Sequence, residues 1–308
     1  MTGQSNRKYV KYSWFLVGMV FLVILAGGVV RMTQSGMGCP DWPKCFGMWI
    51  PPTDASQLPA DFEKYLSKQD IDHTFNPYHT WIEYINRLLG ALLGVFIIGY
   101  LVWTIRKFWK SDKSMVLVAA LLFIAVGIQG WLGKVVVDAN LAVVKITIHM
   151  IGALVIAALP LININKLSEK RISADGFVKH GLTALIFILL VQIILGTQVR
   201  EEIDVISKSL SYEQRELWIE RLGSIFIIHR SFSWIVLVGT VGIYILGRKI
   251  SSFVPYIRNI LIVLVVIILL GVIMAYFNMP ALAQPLHLLL ASALLMQLFY
   301  TRLKMIGG

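Results

Sequence analysis

Eight separate apolar runs, each about 18 to 25 residues long and so long enough to cross a bilayer, organise this chain. They lie at 12–30, 79–105, 115–137, 141–164, 181–199, 221–246, 259–277 and 281–299. Hydrocarbon is about 30 Å thick and an α-helix rises about 1.5 Å per residue, so each run spans it as a helix whose backbone bonds are satisfied internally. The expected fold class is an all-α integral membrane protein with eight transmembrane helices. Only 15% of residues are charged, against roughly a quarter in soluble domains. This excludes an ordinary soluble enzyme, a disordered tail and a collagenous or disulfide-dense secreted scaffold. The first run is too long for a signal peptide, and no small-residue cleavage pattern follows it. It is expected to be a retained helix.

The charges sort by side. One set of segments carries Arg7, Lys8, Lys11, Arg106, Lys107, Lys110, Lys113, Lys166, Lys170, Arg171, Lys179, Arg248, Lys249, Arg258, Arg302 and Lys304, which is 16 basic residues against the acids Asp112, Glu169 and Asp175. The other segments hold the remaining 12 basic and 14 acidic residues. The positive-inside rule puts the first set, and both termini, on the cytoplasmic side of the inner membrane. The net charge of +11 thus orients the chain in its lipid bilayer and calls for no nucleic acid.

On the outer side, two long connections, 31–78 and 200–220, alternate with two tight turns near Asp138 and Pro280. That alternation predicts two four-helix halves, 1–165 with its long outer loop at 32–78, and 166–308. Residue matches support a duplication. Ile85-Asn86-Arg87 in the second run answers Ile228-His229-Arg230 in the sixth, offset by 143, and His149 in the fourth answers His287 in the eighth, offset by 138. All four positions fall one to two turns below the outer surface. A lone intramembrane histidine is most simply an interhelical hydrogen bond. Three at one depth, on helices related by a repeat, point to ligation of a metal or haem. A proton relay or transporter would want acids along a path, and the cores of runs three to eight have almost none. His229 and His287 share a half and predict a bis-imidazole haem between them, as four-helix bundles hold cofactors. In the other half His149 faces the register of Asn86, whose amide is a poor iron ligand.

Glu83 lies three residues before Asn86, on the same helix face. A carboxylate there must be protonated, paired or used. Asn76-Pro77 reads as an N-cap followed by a first-position proline, which makes His79 a first-turn residue about 10 Å above Asn86. His73 and His180 read as loop or boundary residues. Cys39 and Cys45, with Pro40 and Pro43 between them, can close a small disulfide loop or cycle as a redox pair.

Gly27-Gly28-Val29-Val30-Arg31, the Cys39-Pro40-Asp41-Trp42-Pro43-Lys44-Cys45 stretch, the Glu83-Tyr84-Ile85-Asn86-Arg87 box and His149, His229-Arg230 and His287 together resemble the haem A synthase family along essentially the whole chain. The resemblance implies oxidation of the C8 methyl of haem O to a formyl, giving haem A for terminal oxidases. It implies haem b on His229 and His287 and substrate haem on His149, with Asn86 in the substrate pocket where the family box carries histidine. Glu83 is then the expected catalytic group, and Arg87 and Arg230 are candidates for pairing with propionates, beside an ordinary snorkelling role. A haem O-forming farnesyltransferase and oxidase assembly factors are the implied partners, and a homo-oligomer stays open. The competing function is a membrane b-type cytochrome exchanging electrons with a quinone; a transporter would carry no haem.

Overall fold

The computed structural model describes residues 2–66, 75–139 and 143–306. The predicted Leu141 start of the fourth run, His73 and part of the 32–78 loop lie outside the described residues. In chain order the helices are α1 (Thr2–Met32), α2 (Glu63–Leu66), α3 (Pro77–Phe108), α4 (Lys113–Asp138), α5 (Val143–Lys166), α6 (Gly176–Ser209), α7 (Arg215–Glu220), α8 (Ser224–Gly247), α9 (Val254–Tyr276) and α10 (Ala283–Lys304). Eight of them, all but α2 and α7, are long and apolar enough to cross a membrane, so the chain is an all-α multi-pass membrane protein. Two-residue strands β1 (Ile172–Ser173) and β2 (Met305–Ile306) pair in parallel.

Local chemistry sets the helix ends. The Asn76 side chain accepts from the backbone N–H groups of Tyr78 and His79, with Pro77 in the first turn, so His79 is a first-turn residue as predicted. Asp112 caps α4 and Asp175 caps α6 in the same way. The long connection expected over 200–220 is shorter than predicted, because α6 continues through Ser209. Charged residues on one face do not end a helix when the other face keeps its spacing. Val199, Ile203 and Ser207 are buried, and Val199 and Ile203 pack with Trp218 of α7 and Met279.

The chain divides into two compact units, Met1–Ile164 and Asn165–Gly308. In unit 1 the end nearer the chain terminus is solid. Tyr9 and Ser13 of α1, Tyr100 and Thr104 of α3, and Asn163 of α5 are all fully buried. Tyr9 and Thr104 hydroxyls are 2.9 Å apart, and Asn163 Nδ2 reaches the hydroxyls of Tyr9 (3.3 Å) and Tyr100 (3.1 Å) and the carbonyl of Met115 in α4 (3.1 Å). One asparagine thereby links all four long helices through its Nδ2, the buried hydroxyls bonding to it and to one another, while its Oδ1 is buried without a partner. In unit 2 the corresponding end is filled by hydrocarbon, with Leu182, Ile257, Ile260 and Phe253 buried and Phe253 lying against Gly247.

Toward the other end of each unit, several helices have stretches that bury no residue. Among the described residues, α3 buries nothing between Glu83 and Leu93, α4 nothing beyond Leu122 and α5 nothing before Leu154. In unit 2, α8 buries nothing before Val236 and α9 nothing beyond Ile267. Interior positions on these turns are accessible, and the intramembrane histidines stand there.

Candidate functional site

In unit 2, His287 of α10 places Nδ1 3.0 Å from the Ile267 carbonyl of α9. A carbonyl only accepts, so Nδ1 carries the proton and Nε2 keeps the lone pair, the tautomer a metal ligand needs. A Cβ on Gly271 would sit 3.5 Å from His287 Cε1, and one on Gly196 of α6 would sit 3.1 Å from His229 Cε1. The His229 ring thus lies so close to Gly196 that a methyl there would press on it, while the His287 ring lies within ordinary van der Waals reach of a methyl at Gly271. Gln192 donates to the His229 backbone carbonyl (3.0 Å), while His229 Nδ1 is buried without a partner.

Unit 1 repeats part of this arrangement. A Cβ on Gly133 of α4 would meet His149 Cε1 at 3.5 Å, at the same sequence spacing as Gly271 and His287. Gln129 donates to the His149 carbonyl (2.6 Å), and His149 Nδ1 is buried and unpartnered. Asn86 lies on the α3 face that also carries buried Glu83 and Leu93, and its Oδ1 is buried without a partner as well. A Cβ on Gly27 of α1 would meet nothing within 4 Å.

Glu83 is 4% exposed and fully engaged. One carboxylate oxygen accepts from Arg87 Nε (3.1 Å) and Nη2 (2.5 Å), the other from the backbone N–H of Cys39 (2.8 Å). Arg87 also donates to the carbonyls of Asp41 (2.6 Å), Lys44 (3.1 Å) and Cys39 (2.7 Å). Cys39 and Cys45 are joined as a disulfide, and both are fully buried. The loop they close rests on α3: Thr80 Oγ1 donates to the Gly38 carbonyl (2.8 Å), and a Cβ on Gly38 would fall 2.4 Å from the His79 carbonyl, so glycine is required at this contact. A buried ion pair is thereby satisfied at every oxygen, as burial of charge demands.

A protein-family profile, described as COX15-CtaA, cytochrome oxidase assembly protein, matches residues 10–299. The chain belongs to that family. Among relatives of this cytochrome oxidase assembly family, a heme A synthase of Shewanella oneidensis is 30% identical over 192 residues, 60% of this chain and 55% of that one. A heme A synthase of Bartonella bacilliformis is 28% identical, covering 64% of this chain and 59% of its own length. One from Flavobacterium johnsoniae is 27% identical over 94% of this chain and 95% of that relative. The first two alignments therefore span a little over half of the relative.

The residues suit a macrocycle better than a bare ion. No group of three or more His, Cys, Asp or Glu able to hold a metal comes together among the described residues. A porphyrin supplies four donors itself and needs only one or two imidazoles, and unpartnered imidazole nitrogens above the solid core are what the two units offer. The sequence singles out Glu83, Asn86, His149, His229 and His287 as candidates, and each lies on a helix at the position described above. Sequence reasoning missed the seats at Gly133, Gly196 and Gly271, although equal Gly–His spacing in both halves was a legible signal, and it missed Gln129 and Gln192. Arg87, expected at a propionate, directs its donors at Glu83 and the disulfide loop. Arg230 is exposed, with its guanidinium 5.7 Å from the Phe226 ring centre.

Proposed function

We propose that this protein is a haem A synthase, oxidising the C8 methyl of haem O to the formyl of haem A through two successive hydroxylations, each giving up two electrons to an external acceptor, and loss of water from the gem-diol. The observation that carries the proposal is the set of glycine-seated imidazoles above the solid core of each unit, in a family whose relatives bear that name. We assign the two halves, 1–165 and 166–308, to two related four-helix bundles with different tasks. His149, in the first, would hold substrate haem O, with Asn86 in the same pocket. His229 and His287, in the second, would hold haem b, which would supply one-electron transfer there. Glu83 would take the proton from the water that adds to the methyl carbon, or stabilise positive charge there. Arg87 and the Cys39 N–H orient its carboxylate. Arg230, exposed at its helix end, fits a haem propionate, and Arg87 would serve one only by giving up part of its contact with the loop.

The 16 basic residues on one side support cytoplasmic termini in the cell's inner membrane. A haem O-forming farnesyltransferase and oxidase assembly factors are the partners this activity requires. Purified Glu83→Gln supplied with haem O is expected to form haem A at least about 100-fold more slowly than the parent, the usual contribution of a positioned acid–base group. An unchanged haem A yield, read by pyridine haemochrome, would remove Glu83 from the reaction.

A further inference from the structure

The two units differ most where their motifs agree best. Gly27, Val30 and Arg31 near the end of α1 correspond in spacing to Gly196, Val199 and Arg200 in α6. Against Gly196 lies the ring of His229; at Gly27 a Cβ would meet nothing within 4 Å. Asn86 occupies the register of His229 with a shorter side chain, and its buried Oδ1 accepts no hydrogen bond. His149 nevertheless keeps the same glycine seat as His287. Unit 1 therefore retains one glycine-backed imidazole and, in the register of the His229–Gly196 contact, an unpartnered hydrogen-bond acceptor on α3 and open space at Gly27 of α1.

We infer that the Asn86–Gly27 face of unit 1 is a binding site for a small neutral molecule that donates a hydrogen bond to Asn86 Oδ1 and offers a lone pair to the metal of the porphyrin on His149. Water has that chemistry, and so does imidazole, which replaces the missing histidine ring. The inference rests on the proposed haem site of unit 1. It goes further by making this half, unlike the other, open to exogenous ligands, since an amide oxygen is a weak ligand for iron and a stronger acceptor for a bound donor.

The test uses the purified full chain loaded with haem, its haem content counted by pyridine haemochrome and its ferric spectrum titrated with imidazole. Two haems per chain are expected, one low-spin throughout and one high-spin that converts fully to low-spin as imidazole is added. Asn86→His should be low-spin at both haems before any addition and should not respond. Gly27→Leu, which fills the space without touching a ligand, should keep both haems and lose the response. Two haems that are both low-spin in the parent, or a high-spin haem indifferent to imidazole, would overturn the inference while leaving the haem sites standing. A count of one or none, or a response that survives His149→Ala, would instead overturn the site assignment and the inference with it.

Discussion

Unit 1 and unit 2 keep their buried positions and exchange the chemistry at them. In the register of the shared motifs, Tyr9 and Ser13 answer Val178 and Leu182, Tyr100 and Thr104 answer Ile243 and Gly247, and Met115 answers Phe253. All ten are buried. One unit fills this end with hydroxyls, an amide and stacked tyrosines 5.1 Å apart, the other with aliphatic and phenyl groups. Space at a helix contact is thus more restrictive than polarity where the hydroxyls find partners, even though Asn163 Oδ1 goes without one. At the opposite ends the exchange goes further, from His229 to Asn86, and on the proposed assignment it is there that the two units differ in what they bind.

The largest expected effect tests the division of labour. His287→Ala should abolish the low-spin bis-imidazole absorption of the purified protein entirely, while His149→Ala should leave it intact; if both variants retain it, haem b has been assigned to the wrong half. Next in size is the core contrast. Asn163→Leu removes the partner of the Met115 carbonyl and of two tyrosine hydroxyls, and should destabilise the detergent-solubilised protein by about 1–3 kcal/mol. Thr301→Val, at the same register in unit 2, removes only a bond to the Gln297 carbonyl within its own helix and should cost less than about 1 kcal/mol. Thermal unfolding midpoints of the two variants would separate them, and equal shifts would contradict the contrast. The smallest effect is steric. Gly196→Ala places a methyl 3.1 Å from His229 Cε1 and should perturb the haem b spectrum. Gly27→Ala has room, and should leave both spectrum and unfolding midpoint unchanged or raise the midpoint through helix propensity, worth up to about 1 kcal/mol.

The eight spans were legible because hydrocarbon thickness imposes a length that few other structures require. The Asn76 cap and the helical placement of His149, His229 and His287 were equally legible, since each follows from local spacing. The continuation of α6 past Arg200 was obscured by Glu201, Glu202 and Asp204, which read as loop until Val199 and Ile203 are seen to pack on Trp218. The pairing of Glu83 with Arg87 sits at the familiar i, i+4 spacing. Its third partner, the backbone N–H of Cys39, lies 44 residues away in sequence. No side-chain pattern announces a main-chain donor, so that contact needed the fold. The Tyr9–Asn163 network escaped for a similar reason, being assembled from four helices with no common motif.

That distant amide has a consequence for how the protein matures. One oxygen of Glu83 is positioned by a loop that the Cys39–Cys45 bond closes, so the geometry of the proposed acid–base group is tied to thiol oxidation. A chain with both thiols reduced would keep the Arg87 contact to Glu83 and lose the covalent closure of the loop that supplies the other donor, which couples cysteine oxidation to the proposed chemistry in the bilayer.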